Sequence, residues 1–190
     1  MNIFFTNSDP ILCAEDHNKT HLIKMILEYA QLLSTAHRVL DGNPVKTTSK
    51  SGRVKTIYVL DDPFMDYQLY AATHINHPSA KWVRTSSEHY KWLLQCLNEL
   101  CAIYEHYSGK KHKTSNILLQ LCNLPNNIPD TPWQDPFVAI NKEQYPDAHL
   151  ESTVQQKYRT YMMLKLNEWL ARGRKVEWYT QQPHWLMLNR

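Results

Sequence analysis

One stretch constrains the fold more than any other. From His21 to Arg38, the apolar residues Leu22, Ile23, Met25, Ile26, Leu27, Ala30, Leu32 and Leu33 cover most of the circumference of an α-helix. An ordinary surface helix carries a narrower apolar stripe, so this pattern predicts a buried helix from about Thr20 to Leu40, ended by Asp41-Gly42. At about 100° per residue with His21 at zero, Gln31 falls at about 280°, Lys24 at about 300°, Thr35 at about 320° and Glu28 at about 340°. The polar residues therefore share one stripe. An unpaired buried charge costs several kcal/mol, so the stripe must be paired internally or must face a cavity. Lys24 and Glu28 stand at i and i+4, where a buried pair suits a nucleophilic amine beside a general acid/base. The structural alternative is a hydrogen-bonded network that ties the helix to the rest of the fold.

The remaining pattern is also helical. With 190 residues, 43% hydrophobic and 21% charged, the chain predicts one globular domain over 1–190 and is neither disordered nor collagen-like. No run approaches the roughly 18 apolar residues of a membrane span, and MNIFFTNSDP lacks the order of a signal peptide, so a cytoplasmic protein is expected. Cys13, Cys96, Cys101 and Cys122 lack C-x-x-C spacing and read as reduced thiols.

Along the chain, Ile3 to Thr6 suggests a short N-terminal strand, and Ser8-Asp9-Pro10 caps a helix reaching about Asp16. Residues 44–62 read as a basic hairpin or a loop, with β-branched residues flanking Ser51-Gly52. Pro78 begins a new helical turn, Ser86 or Ser87 caps a helix to Ser108 that stops at Gly109, and residues 123–149 form a proline-rich surface segment. A last helix runs from about Glu151 to Ala171. The fold expected is mainly α, a single-domain bundle around the buried helix.

The net charge of +3 is a mild bias. Its distribution says more: Arg38, Lys46, Lys50, Arg53 and Lys55 face only Asp41, and Lys110, Lys111 and Lys113 and then Arg172, Arg174 and Lys175 form further runs, which could converge on a phosphate backbone or simply be solvated. His17 and His21 are four apart, with His74 and His77 in a loop that could approach them, but there is no H-E-x-x-H or Cys/His motif. No metal or cofactor is expected. Tyr158, Tyr161, Lys165, Trp169 and Arg172 form one helical face mixing aromatic and basic groups, suited to a base or a phosphate, although core packing competes for each ring.

Three segments together resemble an uncharacterised family common in bacteriophages. They are His21-x-x-Lys24-x-x-x-Glu28-x-x-Gln31; Ala72-Thr73-His74-x-Asn76-His77-Pro78 with Trp82, Tyr104 and Tyr107-Ser108-Gly109-Lys110-x-His112-Lys113; and Tyr158-Arg159-x-Tyr161 through Glu177-Trp178. More distantly, His21 to Glu28 followed by the Asn-His-Pro turn and a long helix is similar to phage and bacterial pyrimidine-dimer DNA glycosylases with AP-lyase activity. That resemblance implies an all-helical fold that grips damaged duplex DNA, an N-terminal amine that attacks the sugar C1′ to form an imine, and a helix glutamate that assists. Glu28 matches the glutamate and His21 the histidine. The family's helix carries arginines where this sequence has Leu27 and Gln31, and its phage members expose a threonine amine where this chain begins Met1-Asn2. Asparagine after methionine preserves the methionine, so the amine belongs to Met1 or its role passes to Lys24.

The expectation is thus a DNA-directed enzyme acting on a base or its glycosidic bond, with Glu28, Lys24, His21 and Met1 as its catalytic set. The residues expected to hold double-stranded DNA are His17, Gln31, Thr35, Thr73, His74, Asn76, His77, Trp82, Lys110, His112, Lys113, Tyr158 and Tyr161. If phage-encoded, it acts in the host cytoplasm. The alternatives are a phage base-modification or nucleotide-processing enzyme and a non-enzymatic DNA-binding or host-interaction protein. Oligomeric state is left open.

Overall fold

Local chemistry places most of the helices. In the computed structural model, which describes residues 1–49 and 51–189, the Asp9 carboxylate caps α1 (Pro10–Glu15) and the Asn18 side chain caps α2 (Lys19–Asp41). After the hairpin strands β1 (Asn43–Thr48) and β2 (Val54–Val59) come α3 (Pro63–Gln68) and α4 (Pro78–Val83), each opening on proline. Ser86 caps α5 (Ser87–Ser108), which ends at Gly109 with φ 67°, the left-handed conformation glycine adopts at least cost. A 3-10 turn (Lys113–Ile117) leads into α6 (Leu118–Leu121), and α7 (Pro146–Leu150) precedes α8 (Val154–Ala171), which Thr153 and Gln156 open with a capping box. The fold is mainly α with one small antiparallel sheet among the described residues. None of its described helices is long and apolar enough to cross a membrane.

The buried apolar residues form one cluster, with α2 packed against α5 and α4, α1 against α5, and α7 against α8. Burial along α2 is uneven. Its first half buries Leu22, Met25, Ile26 and Tyr29 but leaves Ile23 and Leu27 on the surface, whereas every residue from Leu32 to Arg38 is buried. The all-round apolar pattern thus describes only the second half.

Three further departures have physical reasons. Ile3 to Thr6 is not a strand, because its backbone is satisfied by side chains and by its own carbonyls, Phe5 N donating to Ile3 O and Thr6 N to Phe4 O, rather than by a neighbouring strand. Ile3 N donates to Asn2 Oδ1, Phe4 N to the Tyr29 hydroxyl, the Cys13 thiol to Phe4 O, and Arg159 Nε to Thr6 O. The last helix begins at Val154 because Thr153 takes the cap, and the preceding residues form α7 inside the proline-rich segment. That segment is also anchored: Trp82 Nε1 donates to Gln134 O, and Gln134 N to His89 Nε2. Within the 44–62 segment the hairpin reading holds over the paired strands Asn43–Thr48 and Val54–Val59, with Val45 opposite Ile57 and Lys46 opposite Thr56; Lys50 lies outside the described residues.

Candidate active site

The first residues are held in place by hydrogen bonds. Asn2 Oδ1 accepts from the Tyr158 hydroxyl at 2.8 Å, and Asn2 Nδ2 donates to Ala139 O. With the Met1 side chain packed against the core, its amine sits 3.7 Å from Glu28 Oε2. Lys24 Nζ lies 3.3 Å from Glu28 Oε1, so the carboxylate stands between two amines. Glu28 is 15% exposed and Lys24 62%, so the burial expected of this pair applies to the acid and not to the lysine.

These groups open onto a cavity of about 410 Å³. One wall is a stack in which the Phe4 and His21 rings lie 4.9 Å apart, His21 and Trp169 4.8 Å apart, and the Arg174 guanidinium 5.1 Å from the Trp169 ring. Asn18 Nδ2 donates to His21 Nδ1 at 2.8 Å, which leaves the hydrogen of the neutral ring on Nε2. Burial, and then the fields of His17, Lys165 and Lys24, hold the His21 pKa well below its ordinary value, so the ring acts as a neutral donor. On α8, Lys165 Nζ donates to the Tyr161 hydroxyl at 2.7 Å. Burial, and then Lys24, lower the Lys165 pKa, while burial raises that of Tyr161. The cavity is therefore cationic: Met1, Lys24, Lys165 and Arg174 oppose Glu28. His77 stands within electrostatic reach, its pKa lowered first by burial and then by the Met1 amine and His74, with Glu28 acting the other way.

The other expected site residues divide plainly. His17 is buried away from the cavity: Nδ1 donates to Cys13 O at 2.7 Å, Nε2 accepts from the Tyr29 hydroxyl at 3.2 Å, and burial lowers its pKa to about 4. Thr35 and Thr73 hold each other, with Thr73 N donating to Thr35 Oγ1 and Thr35 Oγ1 to Thr73 O. Gln31 is half-buried and does not line the cavity. His74 and Asn76 are exposed, His74 with φ 49°, and His77 caps α4. Trp82 is in the core, stacked 4.3 Å from His89, and Tyr158 is in the core beneath Asn2. Lys110 and Lys113 are exposed, and His112 caps the 3-10 turn, all outside the cavity lining. The aromatic-basic face of α8 contributes Tyr161, Lys165 and Trp169, while Tyr158 and Arg172 are not part of the lining. Arg174, from the basic run Arg172, Arg174 and Lys175, also lines it, as does Thr20, which carries no local signal in sequence.

Arg38 does not belong to a phosphate-binding run. It is 6% exposed and donates to Tyr70 O, Tyr58 O, Asp66 Oδ1, Asp66 O and Leu69 O, so its guanidinium is consumed. A larger cavity of about 600 Å³ has Glu15 and Asp16 in its lining and no lysine or arginine. Among the described residues no group of three or more His, Cys, Asp or Glu side chains is placed to hold a metal ion. No family model, curated protein or solved structure matches the chain.

Proposed function

We propose that the Met1–Glu28 cavity is the active site of a DNA glycosylase/AP-lyase-like enzyme that acts through an imine. The observation that carries this reading is an anchored amine 3.7 Å from a half-buried carboxylate, inside an open cavity with surplus positive charge. The surplus suits the phosphates flanking a sugar. On an abasic site the neutral amine adds to the C1′ aldehyde carbon, and both nitrogen hydrogens leave with the carbonyl oxygen as water, which yields a C=N bond. Glu28 is placed to take the first proton and return it to the departing oxygen. On an intact nucleotide the same attack displaces the base, which requires its extrusion from the helix. The neutral His21 Nε2–H orients the substrate, and Lys165 and Arg174 supply the cations that the resembling family draws from arginines on its central helix. In this reading the chain is one helical domain organised around α2, acting on duplex DNA in the cytoplasm, of the host cell if phage-encoded.

Borohydride trapping on an abasic duplex tests it, using protein whose first residue is verified as Met1 by intact mass. A reduced covalent adduct is expected, and it is lost when Met1 is acetylated. Loss with Lys24→Gln instead assigns the amine to Lys24. No adduct with any variant overturns the lyase reading and leaves base modification or non-enzymatic DNA binding as the function.

A further inference from the structure

We propose that the β1–β2 hairpin is a cationic arm that grips the phosphate backbone of double-stranded DNA at a point remote from the cavity. The choice of partner rests on the DNA reading above; the arm itself rests on separate observations. Beyond the half-buried root residues Ile57 to Val59, neither face of the hairpin is covered, since Val45, 43% exposed, and Val54, 66% exposed, fall on opposite faces in the pairing register. A lone two-stranded hairpin is marginal in water, so this one depends on its root. Arg38 Nη1 donates to Tyr58 O at 2.8 Å, Asn43 Nδ2 to Asp61 Oδ1 at 2.7 Å, and Leu60 N to Asp66 Oδ1 at 2.9 Å. The tip is folded too: Ser49 N donates to Arg53 O and Gly52 N to Ser49 O, with Gly52 at φ 78°. The fold thus holds out an exposed element whose apolar residues contribute almost nothing to the core.

Its charge is of one sign. Residues 42–60 contain Lys46, Lys50, Arg53 and Lys55 and no Asp or Glu. The register sets Lys46 opposite Thr56 and Lys55 opposite Thr47, so the two lysines lie on opposite faces, with Arg53 beside the turn. Among the described residues none of Lys46, Arg53 and Lys55 is ion-paired. Lysine on an exposed edge also discourages pairing between molecules, but mixed charges do that equally well. Uniform positive charge on both faces fits a polyanion that flanks the element on two sides, as the two backbones bordering the major groove do.

The placement favours a duplex that meets the cavity as well. Arg38, which holds the root, lies at about 260° on the helical scale that puts Glu28 at about 340°, so the arm leaves from the face of α2 bearing the catalytic acid. Ten residues separate them, roughly 15 Å along the helix, and the six-residue strands add roughly 20 Å of reach. The tip of the arm thus lies within about one turn of B-form DNA of the cavity.

Fluorescence anisotropy on an unmodified duplex of about 20 base pairs, titrated at several salt concentrations, tests the arm. Each neutralised phosphate adds about 0.9 to the slope of log affinity against log salt, so combining Lys46→Gln, Arg53→Gln and Lys55→Gln lowers the slope by about 2 to 3. Affinity at low salt falls on the order of 100-fold. Arg53→Gln alone, far from the root, lowers the slope by about 1, while Lys46→Arg with Lys55→Arg preserves it. An unchanged slope in the triple variant overturns the arm, as does wild-type protein that ignores the duplex or prefers vesicles of anionic lipid. Because this duplex has no abasic site, the two readings fail separately: an adduct without arm-dependent binding rejects the arm alone, and arm-dependent binding without an adduct rejects the lyase alone.

Discussion

The two halves of α2 carry the same kind of polar stripe and use it in opposite ways. In the first half, His21, Lys24 and Glu28 border a cavity, and the partners of Glu28 are amines that also face it. In the second half, Thr35 and Arg38 are closed over by residues 58–73, whose carbonyls and amide take their hydrogen bonds. Polar residues on a buried helix are therefore no guide to a site on their own. What separates the halves is whether a chain segment satisfies the polar groups or an opening leaves them available to a substrate.

The largest effect is expected at Arg38. Arg38→Met leaves Asp66 and four carbonyl bonds without their donor, and urea unfolding should show a loss of about 3 to 5 kcal/mol. A loss below about 1 kcal/mol would erase the contrast, since the clamp would then be idle.

Acid probes both ends of α2 alike. His17 precedes the helix and His37 lies near its end; both are buried, and burial lowers each pKa to about 4 from an unfolded value of about 6.5. Between those values the unfolded chain binds more protons, so stability is fully present above about pH 6.5 and is lost as pH falls toward 4. Each histidine accounts for about 3 kcal/mol of that loss. Unfolding measured from pH 7 to 4 should flatten in His17→Gln and in His37→Gln, and an equally steep profile in either variant would show that its ring is not held neutral.

Glu28→Gln sharpens the comparison from the other side. Imine trapping should slow by about 100-fold or more while stability changes by less than about 1 kcal/mol. Loss of stability with unchanged trapping would place Glu28 with the structural half. Smallest is Thr35→Val, expected to cost about 1 kcal/mol through the Thr73 amide and to leave trapping unaltered.

Legibility in the sequence followed the range of the physics. The Ser86 cap, the Gly109 stop and the opening of α4 on Pro78 depend on neighbours a few residues away. The pairing of Lys24 with Glu28 was readable for the same reason, being one helical turn. Arg38 misled because its partners, Tyr58, Asp66, Leu69 and Tyr70, lie 20 to 32 residues away and are mostly backbone carbonyls, which carry no residue code. The Ile3 to Thr6 strand failed similarly, since its substitute partners Tyr29 and Arg159 are visible only after folding. Lys165 and Trp169 stood out as part of an aromatic-basic face, but only tertiary packing selects them over Arg172 and adds Arg174.

Anchoring of Asn2 by Tyr158 and Ala139 has a practical corollary for anyone handling this protein. Any residues fused ahead of Met1, such as an affinity tag, must leave through the mouth beside Glu28. They would convert the amine into an amide and crowd the space before it. On the imine reading, a preparation tagged at that end should therefore fold normally and be chemically silent, whereas the same tag at the opposite end of the chain leaves the amine free.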